Sequence, residues 1–189
     1  KLIHNLQDIV AKKSKTFESK VVQLSSYHQW MIDQEFEYDL VGLRNKIAIY
    51  GANCKNSNLS QFSLFGRGWP AGVKVEMNNR SESNWAELKY KILQEYYFNV
   101  ALENTYWPYY VTEKLWDSLA CGLLPVYKGS EWLDKLFYPG KPPIIDTRNF
   151  ASELEIFEAI LATNKEEYER IFANSFASLE KIKISCINT

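Results

Sequence analysis

The stretch that decides the fold is YYFNVALENTYWPYYVTEKLWDSLACGLLPVYKGS, residues 96–130. Phe98, Val100 and Leu102 alternate around small Ala101, the pattern of a buried strand. From Val111 to Gly122 the spacing turns helical. Leu115, Leu119 and Ala120 fall on one side and Gly122 supplies the stop. Residues 123–129, LLPVYKG, read as a second strand with Pro125 near its start. A strand, a helix and a strand in so short a run make a crossover unit with parallel strands. Between the first strand and the helix sits ENTYWPYYVTEK, crowded with acid, amide, hydroxyl, aromatic and ammonium groups. Parallel α/β sheets bind ligands beyond the carboxyl ends of their strands, and this segment falls at such an end.

The alternation continues outward in both directions. Residues 1–19 carry Leu2, Ile3, Leu6, Ile9 and Val10 at helical spacing, with a basic tail; His4 belongs to the surface of that helix. KVVQLSS (20–26) reads as a strand. Residues 27–38 read as irregular or weakly helical and hold His28, Asp33, Glu35 and Glu37, solvated acids of which one could act as a base. The next segment admits a helix through Leu40, Leu43, Ile47 and Tyr50, or a strand at KIAIY; the helix is the expectation, stopping near Gly51. FSLFGRGWP (62–70) reads as a strand breaking into a glycine turn around Arg67. An amphipathic helix follows, with Trp85, Leu88, Ile92 and Leu93. After residue 130 come a short helix (131–137), a short strand (142–147) and two helices, the first opened by a capping box at Ser152 and Glu155. The expected class is therefore α/β: a Rossmann-like parallel sheet with helices on both faces.

At the central strand end, Thr112 is placed to cap the helix. The free N–H groups and dipole of its first turn favour an anion. Lys114 in that same turn is locally unfavourable by a few tenths of a kcal/mol, which makes sense if a diphosphate sits there; a solvated lysine is the plain alternative. Glu113 offers a carboxylate to a pair of ribose hydroxyls. Glu103 and Asn104 close the strand, and Asn presents both a donor and an acceptor to sugar hydroxyls. Tyr106, Trp107, Tyr109 and Tyr110 are candidates for stacking on a base or sugar ring, or for plain packing. No Gly-x-Gly-x-x-Gly or Gly-x-x-x-x-Gly-Lys-Ser/Thr pattern occurs, and no Asp-x-Asp triplet to hold a divalent metal. A diphosphate here would be neutralised by cationic side chains and N–H groups alone.

The 189 residues have a net charge of -1 and 46% apolar content, enough for a core and too balanced for general attraction to nucleic acid. No apolar run reaches the ~20 residues of a membrane helix, so membrane attachment would need an anchor upstream. Cys54, Cys121 and Cys186 have neither zinc nor disulfide-scaffold spacing and read as free thiols, which suits a reducing compartment. The triplets at Asn58 and Asn79 have the form of glycosylation acceptors but are short enough to arise by chance. The first residue is Lys1 rather than methionine, and the sequence is read as part of a longer chain.

The run from Glu103-Asn104-Thr105 through Tyr110-Val111-Thr112-Glu113-Lys114 to Leu124-Pro125-Val126-Tyr127-Lys128-Gly129 resembles the C-terminal signature of the α-1,3/4-fucosyltransferases. Weaker similarity extends over about residues 20–172, where LRNKIAIY and FSLFGRGW look like the family's arginine-bearing helix and glycine turn. Two positions depart from the pattern: Leu102 replaces a phenylalanine, and Tyr109 an aspartate. The resemblance implies the donor-binding lobe of a two-lobed, GT-B, inverting and metal-independent enzyme with no cofactor, moving fucose from GDP-fucose to a glycan acceptor. It implies residues 1–19 as an N-terminal helix or inter-lobe segment and 20–189 as the donor domain. By position, Lys114 and Arg44 would hold the diphosphate and stabilise the leaving group. Glu113 would take the ribose hydroxyls, Asn104 and Tyr110 would line the pocket, Thr112 would cap the helix beneath it, and Glu103 would support it. The family's catalytic base lies on the other lobe, so no base is named. Another GDP-sugar, or nucleotide-sugar binding without catalysis, are the alternatives. Location is expected to be bacterial or viral cytoplasm, or a Golgi lumen if the source is eukaryotic.

Overall fold

The computed structural model describes residues 2–29, 38–76 and 84–187. Asp33, Glu35, Glu37 and the triplet at Asn79 lie outside these residues. In chain order the elements are α1 (Leu2–Ser14), β1 (Lys20–Leu24), α2 (Val41–Asn53), β2 (Gln61–Phe65), α3 (Trp85–Gln94), β3 (Phe98–Val100), α4 (Glu113–Ala120), β4 (Leu124–Tyr127), α5 (Glu131–Leu136), β5 (Ile145–Asp146), a 3₁₀ turn (Thr147–Asn149), α6 (Glu153–Ala162) and α7 (Lys165–Ile187). The five strands form one sheet in the order β2-β1-β3-β4-β5, and every pairing is parallel. The expected class is the one observed.

The register divides the side chains between two faces. Val21, Phe98 and Leu124 form one row, with Val100, Val126 and Ile145 on the same side. They join Ile47 of α2, Ile156, Phe157 and Ile160 of α6, and Tyr168 and Phe172 of α7 in the larger core. Burying each such side chain contributes roughly 1.5–3 kcal/mol. Val22 and Asn99 form the opposite row. There Val22 packs with Leu93, Tyr96, Cys121 and Leu123 in a smaller core. Cys54 and Cys121 are both free thiols, and burial pushes the Cys121 thiol up to about 11.

Helix α2 stops near Gly51, as expected, with its last residue at Asn53. Gly51 is a packing gap: a Cβ there would sit 2.5 Å from the Phe62 ring and 2.7 Å from Phe157. One expectation changes: Ala120 is exposed, and the side of α4 facing the sheet is made by Leu115, Ser118 and Leu119. The strands are also shorter than their apolar runs, because β2 yields at Gly66 and β5 is only Ile145–Asp146. The Thr112 cap is formed, with Lys114 N donating to the hydroxyl. So is the Ser152 cap, whose Glu155 side chain reaches back to Ala151 N. Among the described residues no helix is long and apolar enough to cross a membrane.

The sheet's winding reverses between β1 and β3, because the chain adds β2 on one side of β1 and β3 on the other. Crossovers on the two sides leave a crevice at that point, beyond the strands' carboxyl ends. The rim there depends on Gly66, which has φ +140° and lies so close to the Ser25 carbonyl that a Cβ would stand 1.9 Å away. Gly66→Ala is expected to destabilise the chain by about 1–3 kcal/mol, read as a lower midpoint in urea denaturation, whereas Gly72→Ala, with φ +90° but open space around it, should lose less.

Candidate functional site at the sheet reversal

Glu103 leaves β3 almost fully buried, 2% exposed. A buried carboxylate needs donors, and this one has four. Thr112 N (2.9 Å) and Tyr127 Oη (3.1 Å) donate to Oε1, Lys114 Nζ (2.8 Å) donates to Oε2, and the Thr112 hydroxyl lies 2.8 Å from both oxygens. The carboxylate thereby ties the end of β3 to the first turn of α4 and to β4. Burial first, and then the charge and hydrogen bond of Glu103, push the Tyr127 phenol far above its ordinary value. Thr112 Oγ1 also receives Lys114 Nζ at 3.0 Å. The lysine in the first turn of α4 therefore has an acidic partner within the fold. Its side chain is still 28% exposed and lines the crevice.

Arg44 reaches the same place from another element. The segment before α2 pairs with the segment after β3: Leu40 N donates to Asn104 O (3.1 Å) and Tyr106 N to Tyr38 O (2.6 Å), with a bridge between Asp39 and Thr105. Asp39 accepts from Val41 N and Gly42 N, which starts the helix. The guanidinium, 4% exposed, then donates from Nη1 to Asn104 Oδ1 at 2.6 Å. No sequence spacing foretells this closure, since 60 residues separate the two.

Arg44, Glu113 and Lys114 line one crevice with Leu24, Ser25, Asn99 and Ala101, and with Trp85 and Lys89 from α3. Its volume is about 80 Å³, room for a phosphate-sized group or a few waters. Lys89 is the residue that sequence reasoning missed. It sits on the polar face of an ordinary amphipathic helix, and only the crossover brings it here, where it pairs with Asp117 at 2.6 Å. Tyr90 donates to the other oxygen of that carboxylate at 2.6 Å. The hydrogen bond, helped by burial, pushes its phenol up to about 12. Asn99 forms part of the floor: Nδ2 donates to Ser118 Oγ at 2.8 Å, while the buried Oδ1 has no hydrogen-bond partner. Three cations and three carboxylates lie in or beside the crevice, so it is nearly neutral; Lys89 and Lys114 are held by acids and Arg44 by the Asn104 amide.

Tyr110 is brought to the other side of the clamp. It is 45% exposed and, with Glu103, Tyr106, Trp107 and Tyr127, lines a separate slot. Glu113 is mostly exposed, with a side chain at 60%. Burial raises its carboxyl, but Lys114, the amide of its own helix turn, Lys89 and Thr112 together outweigh that and hold it below its ordinary value.

Glu103→Ala is expected to destabilise the fold by about 2–4 kcal/mol in chemical denaturation, less than a fully buried pair because Lys114 can reach water. The depressed Glu113 carboxyl stabilises the fold above the ordinary carboxylate range, and that contribution fades as pH falls through its folded-state value. The stability difference between the wild-type chain and Glu113→Gln should therefore be present at neutral pH and vanish in acid; a difference that grew on acidification would contradict the assignment.

Known proteins share part of this sequence and its fold. Residues 43–176 match the model of glycosyltransferase family 10 (fucosyltransferase), C-terminal. A Gallus gallus GDP-fucose protein O-fucosyltransferase 3 is 40% identical over 86 residues, 42% of this chain and 17% of that protein. A Drosophila melanogaster alpha-(1,3)-fucosyltransferase B is 36% identical over 80 residues, 41% of this chain and 18% of its own length. The chain thus matches less than a fifth of the length of these relatives. A crystal structure of an alpha1,3-fucosyltransferase with GDP-fucose superposes with a TM-score of 0.55 at 22% identity, covering 90% of this chain and 44% of that one. That likeness is one of fold. The family match spans more than half of the chain, which therefore belongs to the C-terminal part of glycosyltransferase family 10, the fucosyltransferases.

Proposed function

We propose that this chain is the donor-binding domain of an inverting, metal-independent fucosyltransferase that uses GDP-fucose and a glycan acceptor, with the acceptor lobe and the general base elsewhere in a longer protein. The observation that carries the proposal is the convergence of Arg44 and Lys114, from two helices, on one crevice at the sheet reversal. Family membership and the fold shared with a GDP-fucose-bound enzyme support it.

In this reading the diphosphate lies across the first turn of α4. Lys114 turns from Glu103 toward it, and Arg44 approaches from the Asn104 side. Glu103 can release the lysine without being orphaned, because Thr112 and Tyr127 still donate to it. Glu113, exposed at the rim, takes the ribose hydroxyls, and Asn104 and Tyr110 border the sugar. When the bond to fucose breaks, negative charge accumulates on the departing GDP. Two cations held in place by the protein, Lys114 by the Glu103 carboxylate and Arg44 by the Asn104 amide oxygen, stabilise that charge more than they stabilise the bound donor, and that difference is catalysis. They supply the counter-charge that a divalent ion supplies elsewhere.

Isothermal titration of the chain with GDP tests this reading. Lys114→Ala should weaken binding roughly 10- to 100-fold, the equivalent of one charge-assisted hydrogen bond. Arg44→Lys should weaken it too, because lysine cannot reproduce the guanidinium fork. A chelator should leave the wild-type affinity unchanged. Affinity indifferent to Lys114→Ala, or dependent on a divalent ion, would overturn the proposal. Transfer of fucose by the longer protein would separate this enzyme from one using another GDP-sugar.

A further inference from the structure

A second cavity opens on the far side of the aromatic segment. Tyr106, Pro108, Tyr109, Glu131, Trp132 and Lys135 enclose about 410 Å³, ample for one sugar ring and part of a second. Tyr109 is 72% exposed, an unusual placement for a large aromatic ring. Its ring meets that of Trp132 edge-on, with centroids 6.3 Å apart and planes at 68°. The two rings therefore form a corner, not a parallel stack, and the exposed Tyr109 ring offers much of its surface to the cavity.

The corner is anchored. Trp132 is partly buried against the main core. Ser130 caps α5 and donates to Pro108 O at 3.0 Å, which ties the aromatic segment to that helix. Lys128 Nζ lies 4.5 Å from the Tyr106 ring centre. A ligand entering here would have little chain to order, and preorganisation of that kind favours binding.

The lining also states what kind of ligand fits. One carboxylate and one ammonium, Glu131 and Lys135, give no net charge. Both are exposed and can hydrogen-bond. Flat aromatic faces flanked by a balanced donor and acceptor match a neutral polyol with one apolar face, which describes a pyranose ring. They match an anion or a purely apolar partner poorly. Tyr109 is next to Tyr110 in the chain, so the corner and the proposed donor site share one segment at the carboxyl edge of the sheet.

We propose that Tyr109 and Trp132 form a saccharide-binding subsite that holds a neutral sugar ring of the acceptor glycan. Its role as an acceptor subsite rests on the fucosyltransferase reading above; the binding chemistry itself does not.

The test is saturation-transfer NMR on this chain with N-acetyllactosamine as the probe, and GDP titration run in parallel. The wild-type chain should transfer saturation to ring protons of the probe. Tyr109→Ala and Trp132→Ala should each weaken saccharide binding roughly three- to ten-fold and leave GDP affinity unchanged, while Trp132→Phe should retain most of it. Tyr109 is too exposed for its removal to unfold the chain, so that variant remains decisive if Trp132→Ala proves unstable. Absence of saccharide binding in the wild type, or binding undiminished by Tyr109→Ala, would overturn the subsite. So would variants that change only self-association in sedimentation, since the corner would then be a protein contact. Loss of GDP binding by the wild type would sink the donor reading instead and leave the saccharide result standing.

Discussion

The Glu103 carboxylate is the constraint from which the site follows. Placing a carboxylate at 2% exposure is unfavourable unless its lone pairs are filled, and the chain fills them from two elements at once. Thr112 and Lys114 come from the start of α4 and Tyr127 from β4. The result fixes where α4 begins relative to β3, and so where the helix's free N–H groups and Lys114 are presented. A neutral isostere would keep the shape and lose the ionic hold on the lysine.

A second constraint comes from topology. The crevice exists because the sheet winds both ways from the pair β1 and β3. The charged residues that line it are brought by crossovers: Arg44 by the helix before the reversal, Lys89 by the helix after it with Trp85 beside it, Glu113 and Lys114 by the next. Two of the three cations are neutralised at rest, Lys114 by Glu103 and Lys89 by Asp117, while Arg44 donates to the Asn104 amide oxygen. That arrangement lowers the penalty of gathering positive charge in a nearly dry place. In the proposed function, an incoming diphosphate would give Lys114 one anionic partner in exchange for another.

The aromatic segment between Asn104 and Thr112 serves both sides of the clamp. Tyr106 and Tyr110 turn toward the slot beside Glu103, and Tyr109 turns away toward Trp132. A short loop tied down by Ser130 and by the bridge of Asp39 with Thr105 can hold its rings in open positions because the backbone carries the order. In a looser loop the same rings would collapse onto the core.

The sequence alone determined the class of the fold, the crossover at residues 96–130, the Thr112 cap, and the gathering of Glu103, Asn104, Glu113 and Lys114 at a strand end. These are local facts, written in period, caps and adjacent residues, and they pointed to the family. The helix end near Gly51 was legible too, but not that Phe62 and Phe157 leave no room there for a side chain. Only the tertiary structure decided that Arg44 meets Asn104, that Lys89 belongs to the crevice, that Lys114 is held by Glu103, and that Tyr109 meets Trp132. Those pairings close over long stretches of chain. Their geometry is set by which strands are neighbours and by how buried charges find partners, and neither leaves a periodic trace in the order of residues.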